Sequence, residues 1–163
     1  MGQPKKARKQ FKRPKKPYDK DRFVKEKKII KDFGLRRKRE LWKAEGLLRN
    51  FRRRSRELLA KPDEKKQKEL FDRLNKLGFK TEKLDDVLSM KIEDFLARRL
   101  QTIVYKKGLA KTLKEARQFI THRHVLINNK KIWYPSFIVM PEEENNIQLV
   151  EHMRKQQLEK VNK

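Results

Sequence analysis

Clustered arginine is the first chemistry this sequence offers. Arg52, Arg53, Arg54 and Arg56 crowd a single stretch of chain, and a same-sign group that dense repels itself unless a counter-charge offsets it. A guanidinium presents a planar fork of N–H donors that matches two phosphate oxygens, so the pattern points to phosphate. Projected at about 100° per residue, Arg49, Arg53 and Arg56 fall on one side of a helix, beside Trp42. Leu41, Ala44, Leu47, Leu48, Phe51, Leu58 and Leu59 fall on the other. An ordinary solvated face is the competing reading, but ordinary faces mix signs. Phosphate contact through Arg49, Arg52, Arg53 and Arg56 is the expectation.

Arg99 and Arg117 are a different kind of arginine. Arg99 projects inside the apolar arc of a helix carrying Ile92, Phe95, Leu96, Leu100, Ile103 and Val104. Arg117 lies at the edge of an arc formed by Leu113, Ala116, Phe119 and Ile120, with Lys114 and Thr121 one turn away. A packed guanidinium has already lost rotamer freedom and can fork phosphate oxygens at lower entropic cost than a flexible lysine. The competing reading is a snorkelling arginine, or a structural pair with Glu93 or Glu115. Lys106, Lys107, Lys130 and Lys131 add cations nearby, and His122, Arg123 and His124 read as hydrogen-bonding groups at the edge of the same phosphate-facing surface.

Catalysis finds little support. Cysteine is absent and His152 is far from the other histidines, so the common zinc sites are excluded. No phosphate-binding Gly-x-x-x-x-Gly-Lys loop, Gly-x-Ser-x-Gly elbow or His-Glu-x-x-His motif occurs. No carboxylates pair in an apolar setting that would argue for acid-base chemistry. A protein that is not an enzyme and needs no cofactor or metal is expected.

Composition agrees. Among 163 residues, 47 Lys and Arg stand against 22 Asp and Glu, a formal net charge of +25. A compact chain so charged repels itself unless a polyanion or dense ionic atmosphere neutralises it, and nucleic acid is the obvious polyanion. Composition alone does not separate RNA from DNA or from an anionic membrane surface. Hydrophobic residues make up 36%, below the roughly 45–50% of ordinary globular domains, so two small units fit better than one thick one. No window approaches the roughly 20 apolar residues of a membrane span, and the start lacks the apolar centre of a signal peptide. A soluble, cytoplasmic protein is expected; the lack of cysteine suits a reducing compartment.

The elements that must position these residues divide the chain in three. Residues 1–20 carry nine Lys or Arg, one acidic residue and three prolines, a basic extension expected to be disordered off RNA and either solubilising or threaded along it. Residues 21–90 read as a helical domain. A first helix follows Asp19 or Asp21, with Phe23, Val24, Ile30 and Phe33 on one side and Gly34 as its stop. The arginine-rich helix spans Glu40 to Leu59. A third starts at Asp63, buries Leu70, Phe71, Leu74 and Leu77 and stops at Gly78, and Thr81 caps a turn containing Leu84, Val87 and Leu88.

A boundary near Ser89 to Lys91 opens a module over 91–150. Its first helix runs unbroken from Ile92 to Val104 and ends at Lys106, Lys107 and Gly108. Thr112 and Glu115 form a capping box for the second. A hairpin joins Val125–Ile127 to Lys130–Tyr134 across Asn128 and Asn129, and Phe137–Met140 and Ile147–Val150 follow as further apolar runs. Trp133 and Tyr134 are expected in the core, with stacking on unpaired bases as the alternative. Glu142, Glu143 and Glu144 read as a solvated loop. A last helix from Leu149 through Met153 to Leu158 would put 151–163 back on the helical domain. The fold class is α+β: a helical domain plus two packed helices against a small twisted sheet.

The stretch FLARRLQTIVYKKGLAKTLKEARQFITHRHVLINNKK, followed by YPSFIV, resembles the RNA-binding module named after small-subunit ribosomal protein four. The matching residues are Arg99-Leu100, Gly108-Leu109, Glu115-Ala116-Arg117-Gln118 and His122 to Val125 leading to Asn128. The module also occurs in pseudouridine synthases, tyrosyl-tRNA synthetases and heat-shock RNA binders. FGLRRKRELWKAEGLLRNFRRRSRELL, from Phe33 to Leu59, looks like the ribosomal family itself, archaeal members most of all. That resemblance implies direct binding to small-subunit rRNA at a multi-helix junction of the 5′ domain and a part in nucleating subunit assembly. It further implies contact with small-subunit ribosomal protein five, an influence on decoding accuracy, and a place for Arg36, Arg37, Lys38 and Arg39 near the channel through which mRNA enters. Some relatives carry a zinc-binding cysteine cluster that this chain lacks. A modification enzyme using the module for targeting and a DNA architectural protein are the rival readings.

Overall fold

The computed structural model describes residues 11–151 and 153. Helices come first: α1 (Lys20–Asp32), α2 (Lys38–Ala60), α3 (Glu64–Lys76), α4 (Leu84–Ser89), α5 (Ile92–Ala97), α6 (Leu100–Lys106) and α7 (Leu113–Thr121). Strands β1 (Val125–Ile127) and β2 (Lys130–Lys131), the single turn α8 (Pro141–Glu144) and β3 (Ile147–Leu149) complete it. The fold is α+β, as expected. Of the basic extension, residues 1–10 lie outside the described residues. Phe11 stacks on Trp42 with ring centroids 6.0 Å apart.

Asp19 caps α1 by accepting from the Arg22 backbone N–H at 3.2 Å. The apolar face of that helix differs from expectation. Phe23 and Val24 are exposed, and the buried residue of α1 is Glu26. Its carboxylate is held by Arg22 at 3.3 Å, Lys38 at 3.1 Å and the Trp42 indole N–H at 3.2 Å, so burial is compensated by pairing. Ile30 and Phe33 of the expected face do pack, together with Ile29, against Leu35, Leu41, Ala44 and Leu96.

On α2 the arc holds for Leu41, Ala44, Leu48, Phe51 and Leu58, while Leu47 and Leu59 at its edges are exposed. Leu48, Phe51 and Leu58 meet Leu70, Leu74, Phe79, Val87, Met90 and Phe95 in a helical core. Asp63 caps α3 through the N–H groups of Lys65 and Lys66. Thr81 does not cap α4. It is buried two positions before the N-cap Lys83, and Asp86 takes the free N–H groups of Glu82 and Lys83 at 3.2 and 3.0 Å.

The expected unbroken helix from Ile92 to Val104 is two helices. At the break Arg99 is extended, with φ −71° and ψ 143°. Leu100 N–H donates to the Phe137 carbonyl at 2.7 Å, and Val139 N–H donates to the Arg98 carbonyl at 3.1 Å. Arg99 and Ile138 thus form an antiparallel bridge. Backbone pairing with 137–139 supplies the hydrogen bonds that helical continuity would have supplied, and Phe137–Met140 becomes a strut beside the break instead of a strand of the sheet. The break lets α5 send Phe95 into the helical core, with ring centroids 4.5 Å from Phe79 and 5.8 Å from Phe51.

After the break, Leu100, Ile103, Val104, Ala116, Phe119 and Ile120 pack on Val125, Ile127, Val139, Ile147 and Leu149. The sheet is antiparallel in the order β2-β1-β3, with Val125 opposite Leu149 and Ile127 opposite both Ile147 and Lys130. Asn128 and Asn129 take φ of 48° and 63°, the left-handed pair that a tight hairpin requires. β2 is shorter than expected. Trp133 and Tyr134 leave the ladder and are exposed instead of packed in the core. The residues Glu142 to Glu144 wind into α8 where a loop was expected. Of the last expected helix, Leu149 belongs to β3 and Met153 packs on the module's core; residues 154–163 lie outside the described residues.

Candidate nucleic-acid interface

Arg99 and Arg117 converge on one carboxylate, Glu40, in the first turn of α2. Arg99 Nη2 lies 2.6 Å from Glu40 Oε2, and Arg117 reaches both oxygens, Nη2 to Oε1 at 3.0 Å and Nη1 to Oε2 at 3.1 Å. Only 6% of Arg99 is exposed. The competing structural-pair reading for Arg99 has its partner corrected: Glu93 is exposed, and Glu115 accepts from the Lys111 N–H at 2.6 Å. The capping box of α7 is correspondingly shifted, with Thr112 Oγ1 accepting from the Glu115 N–H while the Glu115 carboxylate reaches one residue further back.

Burial pushes the Glu40 carboxyl up, but hydrogen bonds from Arg117 and Arg99 outweigh it and hold the group below the usual carboxylate range. Burial lowers the Arg99 guanidinium, opposed by Glu40. Gln101 completes the joint. Its Nε2 donates to the carbonyls of Gly34 at 3.0 Å and Leu113 at 2.9 Å, while its Oε1 accepts from Arg117. Glu40 carried a faint signal in the sequence: it shares a helix face with Ala44 and Leu48. Its partners, 59 and 77 positions away, carried none.

A second joint lies at Arg98, which sequence reasoning missed. Its Nη1 pairs with Glu144 at 2.8 Å and its Nη2 donates to the Val139 carbonyl at 2.8 Å. The same guanidinium lies over Gly78, where a Cβ would sit 2.9 Å from Cζ. Lys107 donates to the Glu144 carbonyl.

The other cations distribute over three surfaces. Arg37, Arg39 and Lys43 line a groove of about 800 Å³ with Arg99, Arg117, Pro135 and Ser136. Here the basic start of α2 and the module meet. Arg36 is exposed beside it, whereas Lys38 turns back to Glu26 and to the Phe23 ring, 3.8 Å from its centroid. Arg49, Arg52, Arg53 and Arg56 share a shallow depression of about 370 Å³ with Glu45. Arg52 also donates to the Met90 carbonyl at 2.6 Å, and Arg53 pairs with Glu57 at 3.5 Å. Burial, with Glu26 nearby, pushes the Glu45 carboxyl up.

On the module, Lys106, Lys114, Thr121, His122, Arg123, Lys130 and Lys131 are exposed. Thr121 Oγ1 donates to the carbonyls of Arg117 and Gln118. His122 and His124 stack with centroids 6.1 Å apart, and His124 meets Phe119 edge-on. Among the described residues, no group of three or more His, Cys, Asp or Glu could hold a metal, and no helix is long and apolar enough to cross a membrane.

Helices joined by part-buried ion pairs to a small two-helix and sheet module, with exposed cations across both, define a basic nucleic-acid-binding protein of the α+β class. Residues 98–145 match the family described as the S4 domain, a stretch that begins at the helix break. The chain is 53% identical over 150 residues to small ribosomal subunit protein uS4 of Hyperthermus butylicus, covering 89% of this chain and 85% of that one. It is 49% identical to the protein of the same name from Ignicoccus hospitalis, covering 90% of this chain and 92% of that one. For that of Saccharolobus solfataricus the identity is 45%, with 90% and 84% covered. The chain belongs to the uS4 family of small ribosomal subunit proteins.

Proposed function

We propose that this protein is a structural, non-enzymatic constituent of the small ribosomal subunit that binds the subunit's rRNA directly. One observation carries the reading: the partition of its cations. Arg99 and Arg117 share the one carboxylate of Glu40 at the joint, while Arg36, Arg37, Arg39, Arg49 and Arg56 in the helical unit and Lys106, Lys114, Arg123, Lys130 and Lys131 on the module stay exposed. Exposed cations release counterions when they meet phosphate, which gives affinity, and a rigid joint between the two units fixes their spacing for a folded RNA.

In this reading Arg99 and Arg117 hold the module against α2, and the exposed cations contact phosphate. The relatives' name, small ribosomal subunit protein uS4, supports the setting, and a cytoplasmic ribosome is part of the same proposal. The family resemblance supplies the finer reading: a multi-helix junction of the 5′ domain as target, nucleation of the subunit body, contact with small-subunit ribosomal protein five in support of accuracy, and Arg36 to Arg39 near the incoming mRNA.

Competition between a folded small-subunit rRNA junction and duplex DNA, at about 0.2 M salt where unspecific electrostatics weaken, tests it. Preference for the rRNA by at least about tenfold is expected. Equal affinity overturns the reading in favour of a DNA binder, and turnover of the RNA by the purified chain overturns its non-enzymatic part.

A further inference from the structure

Among the described residues, four helices end in the same way, and in one of them the turn is not made by glycine. After α1, α3 and α6 the chain turns through glycine: Gly34 at φ 58°, Gly78 at φ 85° and Gly108 at φ 70°. In each, the next residue's N–H returns to the helix, Leu35 to Ile30, Phe79 to Leu74 and Leu109 to Val104. α7 closes identically, with Arg123 N–H on the Ile120 carbonyl at 3.0 Å and His124 N–H on Phe119 at 2.8 Å. There the left-handed residue is Arg123, at φ 63°. A residue with a Cβ is disfavoured in that conformation, and backbone strain of this kind gathers at functional sites.

What Arg123 adds over a glycine is a guanidinium, and it lies over an aromatic ring. Its Cζ stands 4.6 Å from the centroid of Trp133. Trp133 and Tyr134 follow the short strand β2, and Pro135 has no N–H with which to prolong the ladder. Both rings therefore stand out of the sheet, 43% and 55% exposed, with centroids 5.0 Å apart and planes at 49°. Lys130 and Lys131, one residue further back across Ile132, and His122 beside Arg123 are exposed too.

Resting on the reading of this chain as an rRNA binder, we infer that Trp133, layered with Arg123 and flanked by Tyr134, is a stacking site for one unpaired base of the RNA. A base offers a π-face to an indole and guanidinium layer, and its own phosphates would fall to the adjacent lysines. A paired base does not fit, because its faces are already covered by its neighbours in the duplex; single-stranded loops and bulges present theirs. A hydrophobic protein segment would gain from the two rings but would have to desolvate the exposed Arg123 guanidinium that lies over Trp133.

The chain contains two tryptophans, Trp42 and Trp133, so Trp42→Phe leaves Trp133 as sole reporter in the full-length protein. Titration with the rRNA junction is expected to quench its emission and shield it from acrylamide. Trp133→Ala is expected to weaken binding by about 5- to 100-fold, with Trp133→Phe recovering most of the loss. The slope of affinity with salt stays as in the parent, since no charge is lost. Unquenched Trp133 at saturating RNA, with parental affinity in Trp133→Ala, overturns the stacking site, including the case in which the rings meet a protein neighbour. A parent chain that does not prefer rRNA to DNA overturns the proposed function itself, a result separable from the first because it is read without substitution.

Discussion

Arg117 reaches Glu40 across 77 positions of sequence, its Nη2 3.0 Å from Oε1. Through that contact the last long helix of the module is fixed to the first turn of the arginine-rich helix. Arg99, on the helix break, reaches the other oxygen. Three elements thereby meet at one carboxylate, and Glu40, Arg99 and Arg117 line the groove that holds Arg37, Arg39 and Lys43 beside the module.

Glu40→Gln should destabilise the protein by about 2–3 kcal/mol, below the roughly 3–5 kcal/mol of a fully buried pair, because Glu40 and Arg117 are only part-buried and the amide oxygen still accepts a hydrogen bond. Equilibrium urea unfolding at neutral pH measures this. A change within about 0.5 kcal/mol, the range of an ordinary surface substitution, would mean that the joint is not holding the units together.

The same joint makes a pH prediction. Glu40 is depressed in the folded protein, so its contribution is fully present above the ordinary glutamate pKa of about 4.3 and is lost as pH falls through the lower folded value. The stability gap between the parent and Glu40→Gln should therefore close on acidification below that pKa. Glu45 has the opposite sign, because burial and Glu26 raise it. Its ionisation disfavours the folded state, so Glu45→Gln should gain stability at neutral pH and lose that gain in acid. Paired unfolding curves over pH check both.

Salt dependence separates joint arginines from phosphate arginines. Arg49→Ala or Arg56→Ala should each lower the slope of log affinity against log salt by about 0.7–0.9, one phosphate contact apiece. Arg99→Met, which keeps the apolar stem, should leave the slope of the folded variant unchanged because Arg99 is spent on Glu40. A unit change on Arg99→Met would place that guanidinium on RNA.

The left-handed turns rank themselves. A Cβ on Gly108 meets nothing within 4 Å, so Gly108→Ala should cost only the backbone strain, about 1 kcal/mol. On Gly34 a Cβ would lie 2.8 Å from the Leu113 Cβ and 3.0 Å from Gln101 Nε2, and Gly34→Ala should cost about 1–3 kcal/mol more through overpacking. Gly78→Ala falls between, since the crowding atoms belong to the movable Arg98 side chain. By the same strain, Arg123→Gly should be about 1 kcal/mol more stable than Arg123→Ala, both having lost the guanidinium. Thermal unfolding of the five proteins gives the order.

Much of this was legible in the chain itself. Net charge, the arginine face of α2, the Thr112 cap, the Asn128-Asn129 turn and the glycine stops are set by bonds and spacings within a few residues, which periodicity reads directly. The order of residues from Arg99 to Asn128 was enough to place the RNA-binding module, and that from Phe33 to Leu59 pointed to the ribosomal family. What periodicity could not read was the break at Arg99, because it assumes an unbroken helix and the break is made by backbone bonds from 137–139. Nor could it show that Trp133 and Tyr134 stand outside: that depends on where β2 stops and on how little core a three-stranded sheet has to offer. Above all, the sequence marked Arg99 and Arg117 as unusual without naming their partner. A charge drawn out of water takes whichever counter-charge the fold brings within reach. Only the packing of α2 against the module made that counter-charge Glu40.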